Sequence, residues 1–385
     1  MKILYITYIM ESKKDSLEEG EIRETIDMND KPDPSIKNSK TDFENMVKFY
    51  LASNPILSQN RKTSELEIRF GTNSKVAKPI SKIDYENVVK QLYSSGFTTK
   101  DSKGLHILRI QNEYYDIRKE TTKISNIRAE IVGVDMIQEY CKSNSIQKLL
   151  DMPSTVSALG PKIKFTQKSP PMINSDKPIR PVDFTDFNFR ASYQMEQDYN
   201  AQSNIARNII NKWSDSKKLF RHINRVRFSH DEYPVFADIS IVKGSKKIGR
   251  VPVPEYTIQE AGVFENIESY EVELEIDNSK VGVGTKYDTT PKLLEAIRKC
   301  IRIVLSALQG TNYPIAYSER DRILQSYMKM IHGDTYQPRR VTTKDFIGPS
   351  SYTLQIENIS KNSQNAAPKI LNNYTVTDKA DGDRK

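Results

Sequence analysis

The stretches ELEIRFG (residues 65–71) and YEVELEID (residues 270–277) decide the fold of this 385-residue chain. In both, glutamates alternate with leucine, isoleucine or valine. Because successive side chains of a strand point to opposite faces, each stretch predicts a β-strand with one acidic face and one largely apolar face. Glutamates at i and i+2 then project from the same face, about 6–7 Å apart at a rise of about 3.3 Å per residue.

Five further stretches alternate in the same way, and most of their polar faces are basic. They are SNIRAEI (125–131), PKIKF (161–165), FNFRASYQME (187–196), INRVRF (223–228) and FADIS (236–240). A one-sided sheet with its polar face in water is the ordinary interpretation of any single strand of this kind. Here the polar faces are nearly all charged and are sorted by sign, and like charges on one face repel each other. A closed antiparallel β-barrel relieves this repulsion, since its acidic and basic faces then line one wet interior.

Helical spacing of apolar residues around these strands makes the predicted fold class α+β, a closed barrel with flanking helices. We predict one helix from Thr41, where Thr41 and Glu44 form a capping box, and others over residues 82–95, 198–214, 290–310 and 318–333. The predicted organisation is a disordered tail (1–40), the barrel domain (41–280), a helical segment packing on or after the barrel (281–335), and a linker with the first part of another domain (336–385).

Composition narrows the chemistry of the predicted interior. Lys and Arg number 58 against 50 Asp and Glu, a net charge of +8 that permits a polyanionic partner. Four histidines and two cysteines are too few for a typical zinc site, so a metal would bind oxygen, as Mg²⁺ or Mn²⁺ does. Two glutamate strands across a narrow lumen would converge on one such ion, and the Arg and Lys rows would bind a phosphate chain that also touches it.

The same composition bears on location. Two cysteines exclude a disulfide scaffold and indicate a reducing compartment. No apolar stretch reaches the roughly 20 residues that span a bilayer, and the opening MKILYITYIM is too short and lacks the small-residue cleavage site of a signal peptide. We therefore expect a soluble cytoplasmic protein with no membrane partner.

The acidic strands, with basic strands between them, resemble a known family. An ExExR strand at residues 65–69, followed some 200 residues later by an ExExE strand at 271–275, is similar to the metal-dependent RNA triphosphatases of fungi, protozoa and large DNA viruses. These enzymes belong to the triphosphate tunnel metalloenzymes. The resemblance covers about residues 41–280, and Arg69, where related enzymes for small triphosphates or ATP typically have Lys, favours the RNA branch.

The resemblance implies a role for each charged residue. Direct metal ligands would be Glu65, Glu67 and Glu275, with Glu273 and Asp238 acting through metal-bound water. The phosphate-binding residues would be Arg69, Arg128, Lys164, Arg190, Arg225 and Arg227. Glu196 would position the attacking water, and the catalytic set would also include Glu273, Arg225 and Arg227. Which of the two arginines, Arg225 or Arg227, meets the γ-phosphate stays open. By contrast, Glu271, Lys162 and Lys168 are expected to be solvated surface charges.

A second motif, KADGDR (379–384), resembles the KxDGxR nucleophile motif of covalent nucleotidyltransferases. The resemblance implies that Lys379 attacks an α-phosphate as a neutral amine and that Arg384 contacts the nucleotide ribose. Its position after a tunnel-like domain, and the stretch KDFIGP (344–349), favour a GTP-dependent mRNA guanylyltransferase over a ligase. We expect this to be a truncated nucleotidyltransferase start with no complete site, in the N-terminal part of a longer capping enzyme of large-DNA-virus type.

The expected function is removal of the γ-phosphate from nascent mRNA ahead of cap addition. The expected partners are the 5′-triphosphate end of RNA, GTP for the second domain, and a methyltransferase domain or subunit. If the protein is viral, it would reside in the viral factory or the virion. Three alternatives stay open: a tunnel hydrolase of inorganic triphosphate or nucleoside triphosphates, a non-catalytic RNA-binding module, and a ligase beginning at Lys379.

Overall fold

Eight antiparallel strands close into a β-barrel in the computed structural model, which describes residues 34–55, 62–73, 79–153, 156–157, 160–173 and 177–346. The strands are β1 (Lys62–Phe70), β2 (Leu105–Asp116), β3 (Thr121–Val132), β4 (Ile163–Ser169), β5 (Phe189–Tyr199), β6 (Lys218–Ser229), β7 (Val235–Gly244) and β8 (Ser269–Ile276). Their spatial order is β1-β8-β7-β6-β2-β3-β4-β5, and the pairing of β5 with β1 closes the ring. The predicted fold class, a closed antiparallel barrel with flanking helices, is confirmed.

Short strands extend or flank this barrel. The pairs Val156–Ser157 with Gly160–Pro161, Met172–Ile173 with Lys177–Pro178, and Lys247–Ile248 with Val251–Pro252 form separate two-stranded ladders. Thr98–Thr99 pairs with β6, and Val182–Phe184 pairs with β5. The last of these pairings determines where one arginine of the predicted site is held.

Seven α-helices accompany the barrel in the part of the chain that the structure describes. They are α1 (Pro34–Ala52), α2 (Lys82–Ser94), α3 (Val134–Ser143), α4 (Ile146–Leu150), α5 (Asn204–Asn211), α6 (Thr290–Gln309) and α7 (Tyr317–His332). Short 3₁₀ turns lie at Thr185–Phe187, Asn278–Lys280, Gly333–Thr335 and Thr343–Asp345. None of the helices in the described ranges is both long and apolar enough to cross a bilayer.

The barrel is apolar on its outside, so its hydrophobic cores lie between the sheet and the helices. On β1, Leu66 and Ile68 are fully buried in a core that includes residues of α1, α2 and α6. On β3 and β4, Ile131 and Phe165 lie in a second core with residues of α3, α4 and α5. Burying the apolar face outward leaves the charged face of each strand directed to the interior, as the alternation predicts.

Helix boundaries follow local capping chemistry, and two of them correct the sequence prediction. Helix α1 begins at Pro34 rather than Thr41. The helix predicted over 198–214 is shorter, since β5 continues to Tyr199 and Ser203 then caps the helix by accepting a hydrogen bond from the Ala206 N–H. Helix α6 confirms its prediction by ending at Gly310, whose φ of 63° lies in the left-handed region that glycine favours.

The chain divides into two compact units between Ser318 and Glu319. The first unit holds the barrel. In the second, Arg339 forms an ion pair with Asp345, with 2.6 Å between Nη2 and Oδ1. The domain boundaries expected at residues 40, 280 and 335 stay predictions.

Candidate active site

A cavity of about 1250 Å³ fills the barrel interior, and charged side chains dominate its wall. Seven glutamates line it: Glu65, Glu67, Glu130, Glu196, Glu271, Glu273 and Glu275. Eleven basic residues line it: Arg69, Arg109, Arg128, Lys164, Lys168, Arg221, Arg225, Arg227, Lys246, Lys247 and Arg250. The four extra cations make the interior suited to an anion that carries several negative charges.

The two glutamate strands are neighbours in the barrel, which corrects the expectation that they face each other across the lumen. In the β1–β8 ladder Glu67 lies directly opposite Glu275, and Arg69 lies opposite Glu273. The Arg69 Nε to Glu273 Oε1 distance is 2.9 Å. Carboxylates of both strands therefore form one acidic wall rather than two facing ones.

Glu65 is a buried carboxylate of the acidic wall in contact with Lys168. Burial is the largest cause that raises its pKa to about 7, and the nearby charges of Glu67, Glu196 and Glu275 raise it further against the opposing effect of Lys168. Lys168 Nζ contacts Glu65 Oε2 as an ion pair, but the angle is unsuitable for a hydrogen bond, and Oε2 has no hydrogen-bond partner. Burial also raises the pKa of Glu275, against the effect of Arg227.

Glu196 faces this wall from the adjacent strand β5. Its carboxylate lies 3.6 Å from Lys168 Nζ, 3.5 Å from Lys164 Nζ and 3.5 Å from Arg128 Nη2. Strand pairing explains the first contact, because Glu196 is directly opposite Lys168 in the β5–β4 ladder. The predicted water-positioning residue thus lies among three cations of the cavity wall.

Asp238 anchors the two arginines of β6. It is 1% exposed, and Arg227 donates to both of its oxygens at 2.7 Å. Arg225 Nη1 lies 3.0 Å from Asp238 Oδ2, and Arg225 Nη2 donates to Glu273 at 3.1 Å. Asp238 lies beneath these guanidinium groups and is not part of the cavity wall, so its position orients the arginines.

Glu130 organises the opposite, basic wall, and the sequence analysis assigned it no role. Nε of both Arg109 and Arg128 donates to Glu130 Oε1 at 2.7 Å, and Lys164 Nζ lies 3.6 Å from Oε2. Burial acts to raise the pKa of Glu130, but these three cations together lower it to about 2. Arg109 itself was missed because its strand carries the apolar Leu105 and Ile107 on the same cavity face, so no charged alternation marks it.

Two residues expected to be solvated surface charges line the cavity, and that expectation was wrong. Glu271 forms an ion pair with Arg221 and lies 3.9 Å from Arg69 Nη2. Lys168 contacts Glu65 and lies 3.7 Å from Glu67 Oε2. The alternation already indicated the position of Glu271, which shares one strand face with Glu273 and Glu275.

Not every predicted site residue is brought to the cavity. Arg190 is opposite Arg69 in the β1–β5 ladder, but it is absent from the cavity wall. Its guanidinium instead donates to both oxygens of Asp183, at 2.7 and 2.8 Å. Lys162, which was expected to be a surface charge, is also off the cavity wall and pairs with Asp135 at 2.6 Å. Lys379 and Arg384 lie outside the described residues.

The acidic wall has the donor atoms of a divalent-cation site, but its carboxylates are not grouped around an ion position. Among the residues with described positions, no three His, Cys, Asp or Glu side chains are grouped closely enough to hold an ion. The donors at Glu65, Glu67 and Glu275 are nevertheless all carboxylate oxygens, the ligand type that Mg²⁺ and Mn²⁺ prefer. Burial raises the pKa of Glu65 and Glu275 against the opposing charges of Lys168 and Arg227, so these two cations do not offset the cost of burying the carboxylates.

Solved structures with a distant similarity include three structures of two RNA triphosphatases. The triphosphatase of the Mimivirus capping enzyme is 14% identical, with 70% of this chain and 97% of that chain covered and a TM-score of 0.40. The RNA triphosphatase Pct1 of S. pombe is 13% identical, with 78% and 96% covered and a TM-score of 0.32. Pct1 in complex with the Spt5 CTD is 11% identical, with 74% and 93% covered and a TM-score of 0.32.

No protein-family model and no curated protein matches the chain. The structural similarities are too distant to assign a function, which has to be argued from the cavity itself.

Proposed function

We propose that this protein is an RNA 5′-triphosphatase that removes the γ-phosphate from the 5′ end of RNA. One observation carries the proposal: a closed barrel encloses a cavity with an acidic wall on β1 and β8 and basic side chains on other strands. A polyphosphate chain with a divalent cation complements both surfaces at once. RNA triphosphatase is also the activity named for the similar structures above, but the proposal rests on the cavity.

Arg225, Arg227 and Arg128 would bind the phosphate oxygens. Their guanidinium groups are already oriented by carboxylates, Asp238 for the first two and Glu130 for the third. Such preorganised donors stabilise the charge that develops during phosphoryl transfer, because they need not reorient as it forms. Lys164, Lys168 and Arg69 add further positive charge around the same space.

Glu65, Glu67 and Glu275 would hold the Mg²⁺ or Mn²⁺ ion. When bound, the ion would supply charge neutralisation on the γ-phosphate oxygens. Ser192 Oγ donates to Glu67 Oε1 at 3.1 Å, which fixes the orientation of that carboxylate from the neighbouring strand. Asp238 and Glu273 lie in register across β7 and β8, where Arg225 contacts both.

Glu196 would accept the proton of the attacking water. The water oxygen forms a bond to the γ-phosphorus, the bond from that phosphorus to the β–γ bridging oxygen breaks, and the products are a 5′-diphosphate end and inorganic phosphate. Glu196 is suited to this role because three cations fix its carboxylate inside the cavity.

The deciding experiment replaces carboxylates of the acidic wall without changing their size. We expect Glu65→Gln and Glu275→Gln each to reduce phosphate release from triphosphate-ended RNA by at least about 100-fold, with Mg²⁺ or Mn²⁺ present. Circular dichroism should show both variants folded. Glu139→Gln, at an exposed pair with Lys142 outside the barrel, is the matched control and should retain activity. Metal-dependent turnover by both wall variants at the wild-type rate would refute the site.

A tunnel hydrolase of inorganic triphosphate or nucleoside triphosphates is the second candidate, since the cavity presents the same cations to any triphosphate. Comparing phosphate release from triphosphate-ended RNA, ATP and tripolyphosphate distinguishes the two functions. Cleavage of tripolyphosphate with RNA left intact would favour this candidate. Binding of RNA with no hydrolysis of any of the three would instead indicate a non-catalytic RNA-binding module.

We also propose that residues 379–384 begin a guanylyltransferase domain. The supporting observation is the KADGDR motif itself, in which Lys379 would form a phosphoramidate with the α-phosphate of GTP and release pyrophosphate. Because the expected domain start holds no complete site, the test uses a longer chain that includes the whole nucleotidyltransferase domain, incubated with α-labelled GTP and, separately, with α-labelled ATP. Covalent labelling by GTP that is lost in Lys379→Met would support the proposal, whereas labelling by ATP would indicate a ligase.

A further inference from the structure

An exposed basic hairpin lies at one end of the cavity, and the chemistry above does not use it. Its strands are Lys247–Ile248 and Val251–Pro252, and its base is closed by the Val253 N–H, which donates to the Lys246 carbonyl at 2.9 Å. Lys246, Lys247, Arg250 and Pro252 are all exposed, and all line the cavity. The hairpin therefore connects the cavity wall to the protein surface.

Strand register places the hairpin at the end of the barrel away from Arg227. Arg221 pairs with Gly244, the last residue of β7 before the hairpin, whereas Arg227 pairs with Asp238. The six residues from Arg221 to Arg227 span about 20 Å at about 3.3 Å per residue. Arg227 lies at the end that holds Glu275, with which it forms an ion pair.

The two ends of the cavity differ in charge. At the Arg227 end, the carboxylates of Glu65, Glu67 and Glu275 lie together on the neighbouring strands β1 and β8. At the hairpin end, Glu271 forms an ion pair with Arg221, and Glu255 pairs with Lys246 at 2.8 Å.

Within the described parts of the chain, Lys247 and Arg250 have no carboxylate partner, so their charge is available to a ligand.

Apolar side chains lie beside this free positive charge. Ile248 is 78% exposed and Val251 68% exposed on the hairpin itself, and Ile267, which lines the cavity, is 95% exposed. Single-stranded RNA offers a matching surface, since its phosphates pair with Lys and Arg while its ribose and base faces contact apolar groups.

We propose that the hairpin Lys246–Pro252 binds the nucleotides that follow the triphosphate, so that RNA enters the barrel from this end. This inference rests on the proposed function. With the γ-phosphate near Glu65 and Glu275, a triphosphate engages Arg225 and Arg227. Arg221, four residues and about 13 Å further along β6, is then placed to meet the RNA beyond the triphosphate. The hairpin thereby favours polynucleotide over tripolyphosphate as substrate.

The test is the double variant Lys247→Gln, Arg250→Gln, assayed on triphosphate-ended oligoribonucleotide and on tripolyphosphate. We expect kcat/KM on RNA to fall about tenfold at low salt, and the slope of log(kcat/KM) against log[salt] to decrease by about 1.4, because two single-strand phosphate contacts are lost. Activity on tripolyphosphate should be unchanged. Lys82→Gln, Lys90→Gln on the outside of α2 removes the same charge and is the control, with both activities expected at wild-type level.

The remaining outcomes separate this inference from the proposed function. Equal losses on both substrates, or no loss on RNA, would overturn the role of the hairpin. If the wild-type protein hydrolyses neither substrate, the proposed function fails, and the hairpin is then judged by fluorescence anisotropy with 5′-hydroxyl RNA. RNA binding that weakens about tenfold in the double variant Lys247→Gln, Arg250→Gln but not in the control would support RNA binding by the hairpin. Unchanged RNA binding would refute that role.

Discussion

At the scale of the residue, Glu130 shows how one buried carboxylate fixes several functional cations. It is nearly inaccessible to solvent, and Arg109, Arg128 and Lys164 all direct their charge at it. Removing one partner of a buried ion pair leaves charge without compensation, which costs far more than breaking a surface pair. Glu130 therefore acts on phosphate binding by positioning the cations around it.

We predict that Glu130→Gln lowers the free energy of unfolding at pH 7 by about 3 kcal/mol, measured by urea denaturation. The native pKa of Glu130 is depressed to about 2 from an ordinary value of 4.5, so its stabilisation is fully present above about pH 4.5 and is lost as the pH falls towards 2. The difference between the two proteins should shrink over that range. Glu139→Gln, at an exposed pair, should cost less than about 0.5 kcal/mol at any of these pH values.

Sequence alternation could predict which residues face the cavity but not which partners they meet there. Glu65, Glu67, Glu273 and Glu275 line the cavity because the period of two fixes the face of each strand. Arg190 is also on a predicted inward face, yet Asp183 on the short strand 182–184 pairs with it instead. That strand is three residues long and carries no alternation from which its pairing could have been predicted.

At the scale of the element, β2 was the barrel strand hardest to predict. Its cavity face combines Leu105 and Ile107 with Arg109, so it lacks the charged alternation that identified the other strands. Tertiary pairing with β3 and β6 determines its place in the barrel instead. The strand order as a whole could not be read from the sequence, because alternation says nothing about which strands are neighbours.

The approach of β2 to β6 depends on Gly104, and Gly104→Ala tests this. Its φ of 79° is strained for other residues, and a Cβ there would lie 2.3 Å from Asn224 Oδ1 and 3.0 Å from the Arg225 carbonyl oxygen. We expect Gly104→Ala to lower the free energy of unfolding by about 1–3 kcal/mol more than Gly310→Ala does, measured by urea denaturation. Gly310 has a φ of 63° with nothing within 4 Å of an added Cβ, so it isolates backbone strain from the clash. Equal losses would show that β2 can shift without cost.

At the scale of the whole molecule, closure of the barrel is what brings opposite charges together. β1 and β8 would be an acidic patch on an open sheet, and β6 a basic one, each with its own counterions. In the closed ring the strands enclose eight basic side chains and seven glutamates around the cavity, and the hairpin at its end adds three more basic side chains. Low dielectric and limited water strengthen the interactions of such groups, so the fold itself supplies the affinity for a multivalent anion.

This excess of cations predicts that tripolyphosphate stabilises the folded protein even in the presence of a chelator. A ligand at 100 times its Kd adds about 2.7 kcal/mol to the free energy of unfolding, which differential scanning fluorimetry detects as a rise in Tm. The rise should shrink as NaCl increases, because salt screens the charges at the cavity ends. The rise in Tm should grow when Mn²⁺ replaces the chelator, since the acidic wall then no longer repels the anion.

Orthophosphate at equal phosphorus concentration is the control, because its single phosphate cannot reach cations on several strands at once. An equal rise in Tm with orthophosphate would show that the cavity binds isolated anions rather than a phosphate chain.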